Sequence, residues 1–111
     1  MRLAQSRDFA RIRLAGNRIV QGCLIANWNC VPEASASKLG VVTSRKIGAA
    51  TVRSRARRLL RESFRLHQHD LAQPVELVLV ARNSIAGKPF SAVEKDFLTA
   101  LRRASLLKLE S

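Results

Sequence analysis

Apolar and polar positions change period several times along this chain, and each change predicts an element. Phe9, Ile12 and Ala15 recur at helical spacing behind Ser6, a residue suited to cap a helix, with Gly16 as a stop. This predicts a short helix from Ser6 through Arg13 or Ala15. Across 19–29 the helical period vanishes, and Leu24, Ile25 and Trp28 stand in β-type text. Pro32 and small polar residues over 31–37 predict a loop. Residues 39–44, Leu-Gly-Val-Val-Thr-Ser, predict a second strand, able to form a hairpin with the first around that loop. Gly48-Ala49-Ala50 predicts a turn, and Thr51 a cap for a helix over 52–67 or beyond. Pro74 resets the chain. Residues 75–81, Val-Glu-Leu-Val-Leu-Val-Ala, form the nearly unbroken apolar run of an inner strand covered on both faces. A last helix is expected from Ser91, with Val93, Phe97, Ala100, Leu101 and Ala104 at intervals of three and four. The order helix, strand, strand, helix, strand, helix, with room for one further strand before the middle helix, predicts an α+β two-layer sandwich on a mostly antiparallel sheet.

Length and composition narrow this to one domain. A chain of 111 residues, 47% hydrophobic, can bury a core without disulfides or metals. Cys23 and Cys30 lack a second Cys or His cluster beside them, so they are expected as reduced thiols on a strand rather than zinc ligands. No apolar run approaches a membrane span, and residues 1–8 lack a signal-peptide core, so a cytoplasmic protein is expected. Charge changes the picture most. Twenty Lys and Arg against eight Asp and Glu give a formal net charge of +12. Self-repulsion of that size calls for an anionic partner; a mere solubility device would not cluster the charge.

The cluster lies in residues 45–65, which hold eight of the twenty basic residues and one acid, Glu62. At about 100° per residue, Arg53, Arg57, Arg61, Arg58 and Arg65 share an arc of roughly 140°. Val52, Ala56, Leu59, Leu60, Ser63 and His67 occupy a separate arc of about 100°, able to face the sheet. Arg55 and Glu62 lie on the far flank. Like charges one turn apart cost a few tenths of a kcal/mol, about 0.2–0.5, per pair. A solvated face normally mixes both signs; a row this poor in acids reads better as a phosphate-binding face. Ahead of it, Arg45-Lys46-Ile47-Gly48-Ala49-Ala50 permits close approach of a backbone, and helix N-terminal amides favour anions.

These residues resemble the signature of the bacterial ribonuclease P protein family: Arg45-Lys46-Ile47-Gly48, Ala50, Arg53-Ser54-Arg55, Ala56, Arg57-Arg58 and Arg61-Glu62-Ser63-Phe64-Arg65, in unbroken spacing. Ser6-Arg7-Asp8-Phe9, residues 75–82 and residues 98–106 extend the likeness over nearly the whole chain. Ser54 stands where asparagine is usual, Ala56 where a larger aliphatic residue is usual, and Arg13 where an aromatic often follows Phe9. The resemblance implies a ribosomal protein S5 domain 2-like fold, with a left-handed crossover between parallel strands through the arginine-rich helix. It implies that Arg45, Lys46, Arg53, Ser54, Arg55, Arg57, Arg58, Arg61 and Arg65 bind a catalytic RNA. It also implies a cleft between the first helix and the sheet for the 5′ leader of precursor tRNA, near Phe9, Arg11, Arg13, Arg18 and Asn27 or Trp28. The resemblance further implies that magnesium is required by the RNA and no cofactor by the protein, and the protein is expected as a monomer within the holoenzyme.

Leader binding needs a basic groove with stacking surfaces. Phe9 and Trp28 are candidates, though either could simply be core; the resemblance tips Phe9 toward the cleft and leaves Trp28 open. Protein-borne hydrolysis would need converging carboxylates or histidines. The acids, Asp8, Glu33, Glu62, Asp70, Glu76, Glu94, Asp96 and Glu110, are scattered, and His67 reads as packed or capping. The function that the resemblance implies is a non-catalytic subunit of an endoribonuclease, and the scattered acids agree with it. A structural ribosomal-type RNA-binding protein is the alternative, and a stand-alone nuclease is disfavoured.

Overall fold

The computed structural model describes residues 6–14 and 16–108. Its elements run α1 (Ser6–Leu14), β1 (Arg18–Gln21), β2 (Leu24–Cys30), β3 (Lys38–Val42), α2 (Ala50–His67), β4 (Val75–Ala81) and α3 (Phe90–Arg103). Ser6 is the first residue of α1; its side chain, expected as a cap, and the whole of Ala15 lie outside the described residues.

The β-type text over 19–29 is two strands, not one. Gly22 and Cys23 make a two-residue turn in which Gly22 takes φ +54°, a conformation glycine adopts without steric cost. β1 and β2 pair antiparallel, Gln21 opposite Leu24 and Arg18 opposite Asn27. Side chains from elsewhere secure this turn: Asp96 accepts from the Cys23 amide at 3.0 Å, and Arg82 donates to the Gly22 carbonyl at 2.9 Å. A lone glycine among apolar residues leaves the period unchanged, so the pattern is silent about this hairpin.

The hairpin expected around 31–37 does not form. The sheet order is β1-β2-β4-β3, with β4 antiparallel to β2 and parallel to β3. β4 explains this itself: Leu77 and Leu79 on one face and Val78 on the other are all buried, as expected of an inner strand covered on both sides. Because β3 and β4 are parallel neighbours, α2 is the crossover between them. Thr51 is not its cap; α2 starts at Ala50 behind Ala49, and Thr51 lies exposed in the first turn. α2 thus starts two residues early and α3 one, at Phe90 behind Pro89.

Strand alternation divides the sheet into two unequal faces. Leu24, Ala26, Leu39, Val75, Leu77, Leu79 and Ala81 join α2 and α3 in the main core. Among the described residues the other face has only α1, whose fully buried Ile12 packs with Val78, while Phe9, Val42 and Val80 flank them. Burying one such side chain contributes about 1.5–3 kcal/mol, so α1 rests on much less apolar contact than α2 or α3. The expected α+β sandwich is present, with α1 as a partial layer on its second face.

Candidate nucleic-acid interface

α2 docks through Ala56, Leu59, Leu60, Ser63 and Phe64, all buried. The helical period identifies the first four; Val52 and His67, expected with them, are only half-buried. Phe64 falls on the wheel between Arg53 and Arg57, yet it is core. Arg53 and Arg57 lie in the first half of α2 and Phe64 in the last, so the buried stripe drifts across the wheel as the helix advances. Arg53 and Arg57 consequently sit half-buried at the stripe's edge, as do Arg55 and Arg61 on their flanks, whereas Ser54, Arg58 and Arg65 are exposed. Arg45 and Lys46 are exposed on the 3-10 turn before α2, which Ile47 anchors in the core.

Different partners hold these cations. Arg53 Nη1 donates to the Gly48 carbonyl at 2.8 Å. Arg57 Nη1 donates to Thr43 Oγ1 at 2.8 Å, and its Nη2 to Ser54 Oγ at 3.1 Å. All three acceptors are neutral, so both charges survive. Arg65 is different: its Nε and Nη2 donate to both oxygens of Glu62. That hydrogen-bonded pair holds the Glu62 carboxyl below its ordinary range and raises Arg65 above its own. Arg65 therefore offers less uncompensated charge than Arg53 or Arg57.

The α1 face gathers Phe9, Arg11, Arg18 and Asn27. The Phe9 ring lies on Gly40 of β3; a Cβ there would stand 2.3 Å from Phe9 Cε1, so the ring needs that glycine. Asn27 is only 3% exposed. It shares the alternation of Arg18, its cross-strand partner, on this side of the sheet. Arg13 and Arg18 are exposed. Trp28 does not belong here: it is the next residue along β2, faces the opposite way and packs against the main core. Arg11 forms a bidentate pair with Glu76 of β4, at 2.6 and 2.7 Å. That hydrogen bonding keeps the Glu76 carboxyl below its ordinary range despite burial.

Sequence reasoning missed two residues here, Glu76 and Thr43. For Glu76 a signal was available, since one acid inside an inner strand requires a partner. Thr43 gives none; only the fold brings it to Arg57. At the far end of α2, His67 Nδ1 meets Asp70 Oδ2 at 3.0 Å and Nε2 meets Glu94 Oε2 at 2.8 Å. Among the described residues no three His, Cys, Asp or Glu side chains converge to hold a metal. Among those residues no helix is long and apolar enough to cross a membrane.

Sheet order, crossover helix and arginine row define a basic α+β domain with its cationic side on the crossover. The chain belongs to the ribonuclease P protein family: the family model described as "Ribonuclease P" matches residues 1–105. The ribonuclease P protein component of Clostridium novyi is 32% identical over 109 residues, covering 95% of this chain and 94% of that protein. Among solved structures, the RNase P protein of Thermotoga maritima matches at TM-score 0.81 and 26% identity, over 100% of this chain and 99% of that one. The Staphylococcus aureus RNase P protein matches at TM-score 0.86 and 21% identity, over 96% and 97% respectively, a likeness of fold.

Proposed function

We propose that this chain is the protein subunit of ribonuclease P, an endoribonuclease whose chemistry resides in its RNA. The α2 row, with Arg45 and Lys46 before it, binds the catalytic RNA. The α1 face, with Phe9 as stacking surface and Arg13 and Arg18 as charges, holds the 5′ leader of precursor tRNA. Arg11 contributes through its pair with Glu76, by fixing α1 over the sheet. No hydrolytic step is assigned to a protein side chain; magnesium belongs to the RNA, and the protein works as a monomer in the cytoplasm.

The observation that carries this reading is the pair of Arg53 and Arg57, oriented by neutral acceptors with their charge intact. Phosphate oxygens are the partner such guanidinium groups suit. Reconstitution tests it. With a cognate catalytic RNA, the protein lowers the magnesium concentration needed to mature precursor tRNA. An unchanged requirement would favour a structural ribosomal-type protein instead.

A further inference from the structure

We propose that Thr43 and Ser54 are positioning residues, which fix the Arg57 guanidinium for one RNA phosphate without cancelling its charge. This rests on the reading that the α2 row binds RNA.

Arg57 has Arg53 and Arg61 one turn away on either side, and like charges at that spacing repel. Its side chain has many rotamers, and ordering them on binding weakens affinity. Two hydroxyls remove that freedom. Thr43 directly follows β3, so it is carried by the sheet; Ser54 lies one turn earlier on α2. Thr43 Oγ1 accepts from Nη1 at 2.8 Å and Ser54 Oγ from Nη2 at 3.1 Å. The guanidinium is thus held between strand and helix.

The chemistry of the acceptors matters as much as their place. A guanidinium has five N–H donors, and two hydroxyls take two of them, leaving three for phosphate oxygens. A carboxylate in either place would have neutralised the group, as Glu62 does for Arg65. Ser54 stands where the family signature usually has asparagine. Both side chains offer an oxygen acceptor, so the clamp explains how serine serves at this position.

The test measures affinity for the catalytic RNA at fixed salt, with thermal unfolding of each variant as a check on the fold. Thr43→Val and Ser54→Ala should each weaken binding by about three- to tenfold, the net effect of one ordinary hydrogen bond. Thr43→Ser and Ser54→Asn, which keep an acceptor, should bind like the parent. Arg57→Ala should weaken binding by itself, and adding Thr43→Val to it should cost nothing more. Equal losses from Thr43→Val with and without Arg57 would overturn the clamp while sparing the row, as would no loss at all. No loss from Arg57→Ala would remove the row's role, and the clamp with it.

Discussion

Glu76, only 7% exposed on the inner strand β4, receives both terminal nitrogens of Arg11 from α1, across 65 positions of sequence. Asn29 adds a third, longer contact to the same carboxylate at 3.4 Å. α1 has few apolar anchors, so this pair sets where the helix lies over the sheet and how wide the α1 face opens. A charged pair here does the work that a third or fourth buried aliphatic residue would do elsewhere.

Glu76→Gln should therefore loosen α1 while leaving α2 in place. Unfolding should show a loss of about 1 kcal/mol, and affinity should fall more for leader-bearing than for mature tRNA. The same pair fixes a pH dependence. Arg11 holds the folded-state pKa of Glu76 below its ordinary 4.5. Its contribution is thus complete above pH 4.5 and is lost as pH falls through the lower folded-state value. Acid titration of the melting temperature should show this loss in the parent and not in Glu76→Gln.

Gly40→Ala probes the same face from the sheet side. A Cβ 2.3 Å from Phe9 Cε1 must expel the ring, since the clash is with a rigid aromatic edge backed by Ile12 and Val78. Overpacking of this kind costs about 1–3 kcal/mol. Preference for leader-bearing over mature tRNA should drop with it, as it should in Phe9→Ala. Equal losses for both substrates would make Phe9 purely structural.

His67 couples α2 to α3 in the opposite pH sense. Burial works against its charge, but hydrogen bonds and attraction from Glu94 and Asp70 outweigh that, and its pKa lies above the ordinary 6.5. Its stabilisation is complete below pH 6.5 and is lost as pH rises through the higher folded-state value. Between those two limits the melting temperature of the parent should fall as pH rises. His67→Gln should flatten that slope; an unchanged slope would show that another group titrates there.

Burial beside Asp96 pushes the Cys23 thiol up to about 12. Thiolate is the reactive form, so Cys23 should resist thiol reagents at pH 8 until the protein unfolds. Peptide mapping after alkylation would locate the label, and rapid native-state labelling of Cys23 would contradict its placement.

What the sequence disclosed follows from how local each signal is. Ala56, Leu59, Leu60 and Ser63 repeat within one helix, and β4 declares its central place by its own apolar run. Phe64 misleads the wheel because docking drifts along α2. The β1–β2 turn rests on Gly22 alone, with Asp96 and Arg82 supplied from afar. Insertion of β4 between β2 and β3 is a non-local choice, which makes a hairpin around 31–37 the natural and mistaken guess. Of the expected leader-face residues, Phe9, Arg11, Arg18 and Asn27 lie on the α1 side of the sheet while Trp28 faces the core, a difference of one residue that alternation decides. Thr43–Arg57 and Arg11–Glu76 join separate elements, and no spacing rule reaches them.

The most direct test is the salt dependence of catalytic-RNA binding for Arg53→Ala, Arg57→Ala and Arg65→Ala. Each contact with a phosphate adds about one counterion to the slope of log K against log salt. Arg53→Ala and Arg57→Ala should each lower that slope by about one, and Arg65→Ala, already neutralised by Glu62, by distinctly less. Parental slopes for Arg53→Ala and Arg57→Ala would mean that these guanidinium groups do not meet RNA.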